Sequence, residues 1–154
     1  MDQQLITIPF AYSSSNPPEP LKLDGPVSSI QFSSDGDPLW VVSGRWRMEL
    51  DIDNTGNVPT EIKNFTTDLV VVPADGSVTE RYELLDFKQD GISYDNNTKT
   101  SSTKGKLTMT VKDQRVENIE TELKLINKNI LTITLDPTKT RDQLGETPIY
   151  GIER

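Results

Sequence analysis

From Arg45 to Ile52 the chain alternates without a break: Trp46, Met48, Leu50 and Ile52 share one side, and Arg45, Arg47, Glu49 and Asp51 the other. A period of two is that of a strand with one dry and one wet face. The alternation recurs along most of the chain. It predicts strands near residues 28 to 33, 39 to 53, 61 to 73, 78 to 88, 92 to 96, 104 to 113, 116 to 126 and 129 to 135, joined by short turns and therefore paired antiparallel. Leu107, Met109 and Val111 alternate with Lys106, Thr108, Thr110 and Lys112. After the turn Lys112-Asp113-Gln114, Ile119, Thr121, Leu123 and Leu125 oppose Glu120, Glu122 and Lys124. Asn127-Lys128-Asn129 is a turn tolerant of positive φ, and Leu131, Ile133 and Leu135 form the next inward row.

One helix is marked. Asp136 can cap it, Pro137 suits its first position and Gly145 its exit, which predicts a helix over 137 to 144 followed by a closing strand, Thr147 to Ile152. The expected fold is all-β, an antiparallel meander of about eight strands closing into a barrel, with one short late helix. Closure removes the sheet edges that invite aggregation. A two-sheet β-sandwich is the alternative.

Residues 1 to 27 differ from the rest, holding five of the ten prolines and the run Ser13-Ser14-Ser15-Asn16-Pro17-Pro18. They read as a Pro/Ser-rich N-terminal arm or linker, leaving residues 28 to 154 as a single β-barrel domain. Within the arm, Leu5, Ile6, Ile8 and Phe10 suit docking on a sheet edge of the same or a neighbouring molecule.

A net charge of −8 in 154 residues opposes a nucleic-acid groove or an anionic membrane surface, and no apolar run is long enough to span a bilayer. The chain has no histidine and no cysteine, which removes the side chains most used for catalysis and transition-metal binding. A hydrolase would need paired carboxylates, and no inward pair stands out. Glu80, on a face shared by Val78, Tyr82 and Leu84, is the nearest candidate, and a hydrogen bond to an inward tyrosine explains it more simply. The chain reads as non-enzymatic.

Three further sets of residues carry expectations. A hollow barrel would place Trp40, Trp46, Phe65 and Tyr82 around an apolar interior fit for a small apolar ligand. Asp51, Asp53 and Asn57 order oxygen atoms around a turn glycine as a Ca²⁺ loop begins, although Ile62 stands where the bidentate Glu would be needed and a solvated hairpin loop explains the run as well. Asn64-Phe65-Thr66 and Asn96-Asn97-Thr98 are glycosylation acceptor triplets, with Asn64 and Asn96 the sites.

Two resemblances add to this reading. Ser43-Gly44-Arg45-Trp46 resembles the Gly-X-Trp opening of the calycin barrels, the lipocalins and fatty-acid-binding proteins. That resemblance implies that Gly44 and Trp46 are barrel-floor positions and that Arg141 or Arg154 packs on the indole. In calycins the motif lies on the first strand, whereas here a strand and a long tail precede it. More broadly, Pro38-Leu39-Trp40, Gly44-Arg45-Trp46-Arg47-Met48, Leu135-Asp136-Pro137-Thr138-Lys139-Thr140 and Thr147-Pro148-Ile149-Tyr150-Gly151 resemble a group of small uncharacterised β proteins of ammonia-oxidising archaea. Those proteins are predicted to be exported, which implies an extracellular or cell-surface location with any signal or anchor trimmed from the sequence as it stands. The expected role is protein interaction or assembly, through a protein partner or self-association.

Overall fold

The computed structural model describes residues 19 to 154, apart from the side chains of residues 141 to 143. The arm residues Leu5, Ile6, Ile8 and Phe10 and the Arg141 side chain lie outside that description. Eight antiparallel strands form a closed barrel in sequence order: β1 (Leu21–Phe32), β2 (Pro38–Ile52), β3 (Pro59–Pro73), β4 (Glu80–Asp95), β5 (Thr100–Val111), β6 (Gln114–Ile126), β7 (Ile130–Leu135) and β8 (Ile149–Ile152). Helix α1 (Pro137–Leu144) lies between the last two. The ring closes where Gly151 of β8 pairs with Val27 of β1. The expected barrel is thus present, and the sandwich alternative is not.

The alternation holds at most of the predicted positions, although Thr108 on the polar row is also buried and Ile52 is only half-buried. Trp46, Met48 and Leu50 are buried, Arg45 and Arg47 are exposed, and Leu107, Met109, Ile119, Leu123, Leu125, Leu131 and Ile133 join them in one contiguous apolar cluster that fills the barrel. Where two neighbouring positions break the alternation, a single left-handed residue absorbs the extra step. Ile62 and Phe65 are both buried although three apart, with Asn64 at φ 50 between them; Leu84 and Phe87 do the same around Asp86 at φ 56. Such bulges shift the parity of a strand and bend it. They also explain the first of two corrections to β4. The predicted strands 78 to 88 and 92 to 96 are one strand, β4, whose register shifts between Leu85/Lys88 and Gln89/Gly91, and Val78 lies outside it, 75% exposed.

A third correction concerns the start of the barrel. β1 begins at Leu21 rather than residue 28, so the boundary drawn at 27/28 falls inside a strand. Leu23, Gly25 and Val27 face inward. A Cβ on Gly25 would collide with the Ile152 carbonyl, so only glycine lets β8 approach there.

Strands β3 and β4 pair only from Thr67–Val71 to Glu80–Leu84, in contrast to the near full-length pairing of β1 with β2. Below that short ladder a side chain takes over. The Ile62 N–H donates to Gln89 Oε1 at 2.9 Å, and Gln89 Nε2 donates to the Thr60 carbonyl at 3.3 Å. Phe65 and Phe87 meet edge to face beside this seam, ring centroids 6.1 Å apart at 76°.

Up-and-down order sorts the connections into two ends. One carries the loops at 33 to 37 and 74 to 79, the turn at 112 to 113 and α1; the other carries the loop at 53 to 58 and the turns at 96 to 99 and 127 to 129. Asp136 caps α1 by accepting from the Thr138 N–H at 3.0 Å and the Thr138 hydroxyl at 2.8 Å, and Gly145 leaves the helix at φ 79. Gln31, fully buried, donates to the Leu144 and Thr147 carbonyls at 2.8 and 2.7 Å and accepts from Ser29 Oγ at 3.0 Å. With Thr140 and Leu144 also buried, α1 plugs its end of the barrel.

Candidate functional site

The opposite end has no helix and keeps a concave mouth. Its rim consists of turns held to one another: the Asn127 N–H donates to the Lys99 carbonyl at 2.8 Å, and the Glu153 N–H to the Asn129 carbonyl at 2.6 Å. Asp95 Oδ1 accepts from the Asn97 N–H at 2.8 Å, and Lys99 Nζ donates to Asn96 Oδ1 at 3.2 Å. Lys99, Asn127 and Lys128 all have φ between 53 and 56, the tight turn geometry expected at 127 to 129. The cleft they surround has a volume of about 330 Å³ and is lined by Asn57, Pro59, Tyr94, Asn96, Lys99, Ser101, Asn127 and Lys128. That volume is near the lower bound of small-molecule sites, roughly 300 Å³.

Four other clefts lie on the flanks and the plugged end, and each is lined by at least one carboxylate: Asp90 and Glu122; Glu120, Glu122 and Asp136; Glu80 and Asp113; Asp86 and Glu117. Among these five clefts the mouth alone has lysines and no acidic side chain.

The residues expected around an apolar ligand are placed differently. Trp46 and Phe65 are 0% and 1% exposed and packed into the filled core, Trp40 is half-buried against it, and none of the three lines any of the five clefts. Tyr82 is buried with its hydroxyl donating to Glu80 Oε2 at 2.8 Å, the tyrosine contact expected for Glu80. Burial first, and then this hydrogen bond and the carboxylate charge, push the Tyr82 pKa well above the ordinary phenol range. Glu80 is held below the usual carboxylate range by the same hydrogen bond and by Lys112 Nζ at 3.2 Å.

Trp46 donates from its indole Nε1 to the Ile152 carbonyl at 3.2 Å and lies against Gly151, where a Cβ would stand 2.7 Å from Nε1. It therefore anchors the closing strand. Arg154 goes to the Asp24 carboxylate, Nη2 to Oδ1 2.8 Å.

The loop proposed for Ca²⁺ uses its own oxygens. Asp53 Oδ1 accepts from the Thr55 hydroxyl at 2.6 Å and from the backbone N–H groups of Thr55, Asn57 and Val58 at 3.2 to 3.3 Å, and the Thr55 contact does most to lower its pKa. Asp51 turns instead to Lys63 at 2.9 Å. Among the described residues no three His, Cys, Asp or Glu side chains are grouped to hold a metal ion.

Both acceptor asparagines are exposed, Asn64 with its amide on Glu49 Oε2 at 2.6 Å and Asn96 on the rim of the mouth. Sequence reasoning found Asn57 and Asn96 for other reasons and missed Tyr94, Lys99, Ser101 and Lys128 as a set. They come from connections far apart along the chain, and only the ring brings them together.

A scan against protein-family models finds no match to this chain, and neither does a search of curated proteins or of solved structures.

Proposed function

We propose that this is a non-catalytic, exported or surface-associated β domain that acts by assembly, and that its partner is a second copy of itself. The observation that carries the reading is an apolar row on the outer wall. Ile30, Val41 and Val72 are direct cross-strand partners on β1, β2 and β3, all outward, at 51%, 46% and 38% exposure, and Phe32 beside them is 38% exposed. Isolated exposed apolar side chains are ordinary; a paired row over three strands is the centre of an interface.

The rows below it argue for self-association. Ser28, Ser43 and Val70 come next, then Pro26, Arg45 and Asp68, then Asp24, Arg47 and Thr66, then Lys22, Glu49 and Lys63. Charges of both signs alternate there, in contrast to the net −8 of the whole chain, so a second copy related by a two-fold axis meets opposite charges rather than a uniformly acidic wall. The exposed acceptor asparagines support a location outside the cell. The filled interior speaks against an apolar ligand within the barrel. Where carboxylates in the clefts shift, as Glu80 and Asp136 do, they shift downward and stay ionised, which does not suit a general acid.

Light scattering coupled to gel filtration tests this. The wild-type protein is expected to elute as a dimer at tens of micromolar, about the range a modest apolar interface supports, and Val41→Lys as a monomer with an unchanged thermal melt. A wild-type monomer at millimolar concentration overturns the proposal.

A further inference from the structure

The geometry points to the barrel mouth as a binding site for a carboxylate-bearing sugar, a function separate from assembly through the β1–β3 wall. Three features converge. The first is charge: Lys99 and Lys128 line the one cleft of the five that has no acidic side chain, on a chain with 24 acidic and 16 basic residues. Each of the other four clefts sets carboxylates among its basic groups, whereas the two mouth lysines have no carboxylate competing with a bound anion in the lining.

The second is the neutral lining. The amides of Asn57, Asn96 and Asn127 each offer both donors and acceptors, as adjacent sugar hydroxyls need, while the half-buried Tyr94 and buried Pro59 offer apolar surface for a ring face. A bare inorganic anion would make no use of these groups. The third lies beneath the rim. Ser101 is 2% exposed and lines the cleft, and Thr103, two residues deeper on the inward face of β5, is fully buried with a hydroxyl that has no hydrogen-bond partner among the described residues. The cleft floor at Ser101 is therefore polar and continues inward to Thr103, which disfavours an apolar occupant. The rim needs little ordering on binding, because the Asn127 to Lys99 and Glu153 to Asn129 backbone bonds already fix it.

Amide chemical shifts of the full, unglycosylated chain, titrated with glucuronate, glucose and acetate in turn, test the site. The expected result is saturable shifts at Asn57, Tyr94, Ser101 and Lys128 with glucuronate, at an affinity at least about tenfold above glucose and acetate. The Lys99→Gln/Lys128→Gln variant should retain the wild-type spectrum away from the mouth and bind glucuronate at least about fivefold more weakly. Absence of saturable shifts overturns the proposal. Equal binding of glucose removes the role of the lysines, equal binding of acetate removes the role of the amides and Tyr94, and an unchanged double variant removes the site; each of these overturns it as well. The oligomeric state plays no part in the readout, so failure here leaves the assembly reading to its own test.

Discussion

Tyr82 and Glu80 show how one side chain pair sets an edge to the pH range of the fold. The Tyr82 pKa is raised, chiefly by burial, so the folded state holds its proton more tightly than the unfolded chain does. The stability linked to it is fully present below the unfolded value, about pH 10, and is lost as pH rises through the folded one. Asp53, Asp75, Glu80 and Asp136 are lowered, each chiefly by a side-chain hydrogen bond, from Thr55, Ser77, Tyr82 and Thr138 respectively. Their contribution is present above about pH 4 and disappears as pH falls through the folded values. Urea midpoints should therefore be level between about pH 5 and 9 and decline on both sides; a midpoint at pH 3 equal to that at pH 6 would contradict the assignment. These are local contacts within a turn or two residues along a strand. The Asp136 cap and the Glu80–Tyr82 contact were accordingly legible in the sequence, whereas the diversion of Asp51 to Lys63 depends on how β2 and β3 pair.

At the scale of elements, α1 has no strong apolar stripe of its own and depends on what fastens it. Gln31 reaches from the far end of the chain to the last carbonyl of the helix, at Leu144, and to the Thr147 carbonyl just beyond it, 113 and 116 residues away in sequence. Gln31→Leu keeps the volume roughly constant but strands the Leu144 and Thr147 carbonyls, at a cost of about 2–4 kcal/mol. Hydrogen exchange should speed up in α1 and the 144 to 148 segment more than in β2 or β6. Unchanged exchange and an unchanged urea midpoint would show that the helix holds without this clamp. The strands themselves are legible wherever alternation is strict, as in β2 and β7. Elsewhere the pattern misleads: Asp86 and the Gln89/Gly91 shift break β4 into two apparent strands, and the Pro/Ser-rich composition of residues 1 to 27 disguises the first half of β1. A bulge adds one residue and inverts every inward and outward assignment beyond it, so a pattern of period two cannot be followed across it.

For the whole molecule, the decisive event is closure. β8 is four residues long, yet it pairs with both β7 and β1, accepts the Trp46 indole bond at Ile152 and places Arg154 on Asp24. Deleting residues 149 to 154 would free the edges of β1 and β7 together and leave the Trp46 indole without its acceptor. Gel filtration and thioflavin fluorescence should then detect aggregation where the full chain has none. A soluble deletion variant with the same far-ultraviolet spectrum would mean that the other strand pairs suffice.

Alternation, turn residues and the Asp136-Pro137 to Gly145 signals determined the all-β class, most strands, the helix and which faces turn inward, because each of these depends on neighbours a few residues apart. The tertiary structure alone decided that the interior is filled, that Trp46 secures the closing strand and that Gln31 fastens the helix. It alone aligned Ile30, Val41 and Val72 into a row and gathered Tyr94, Lys99, Ser101 and Lys128 around one mouth. The physical reason is that these arrangements depend on register across strands and on ring closure, and both are set by long-range pairing that a linear pattern does not encode.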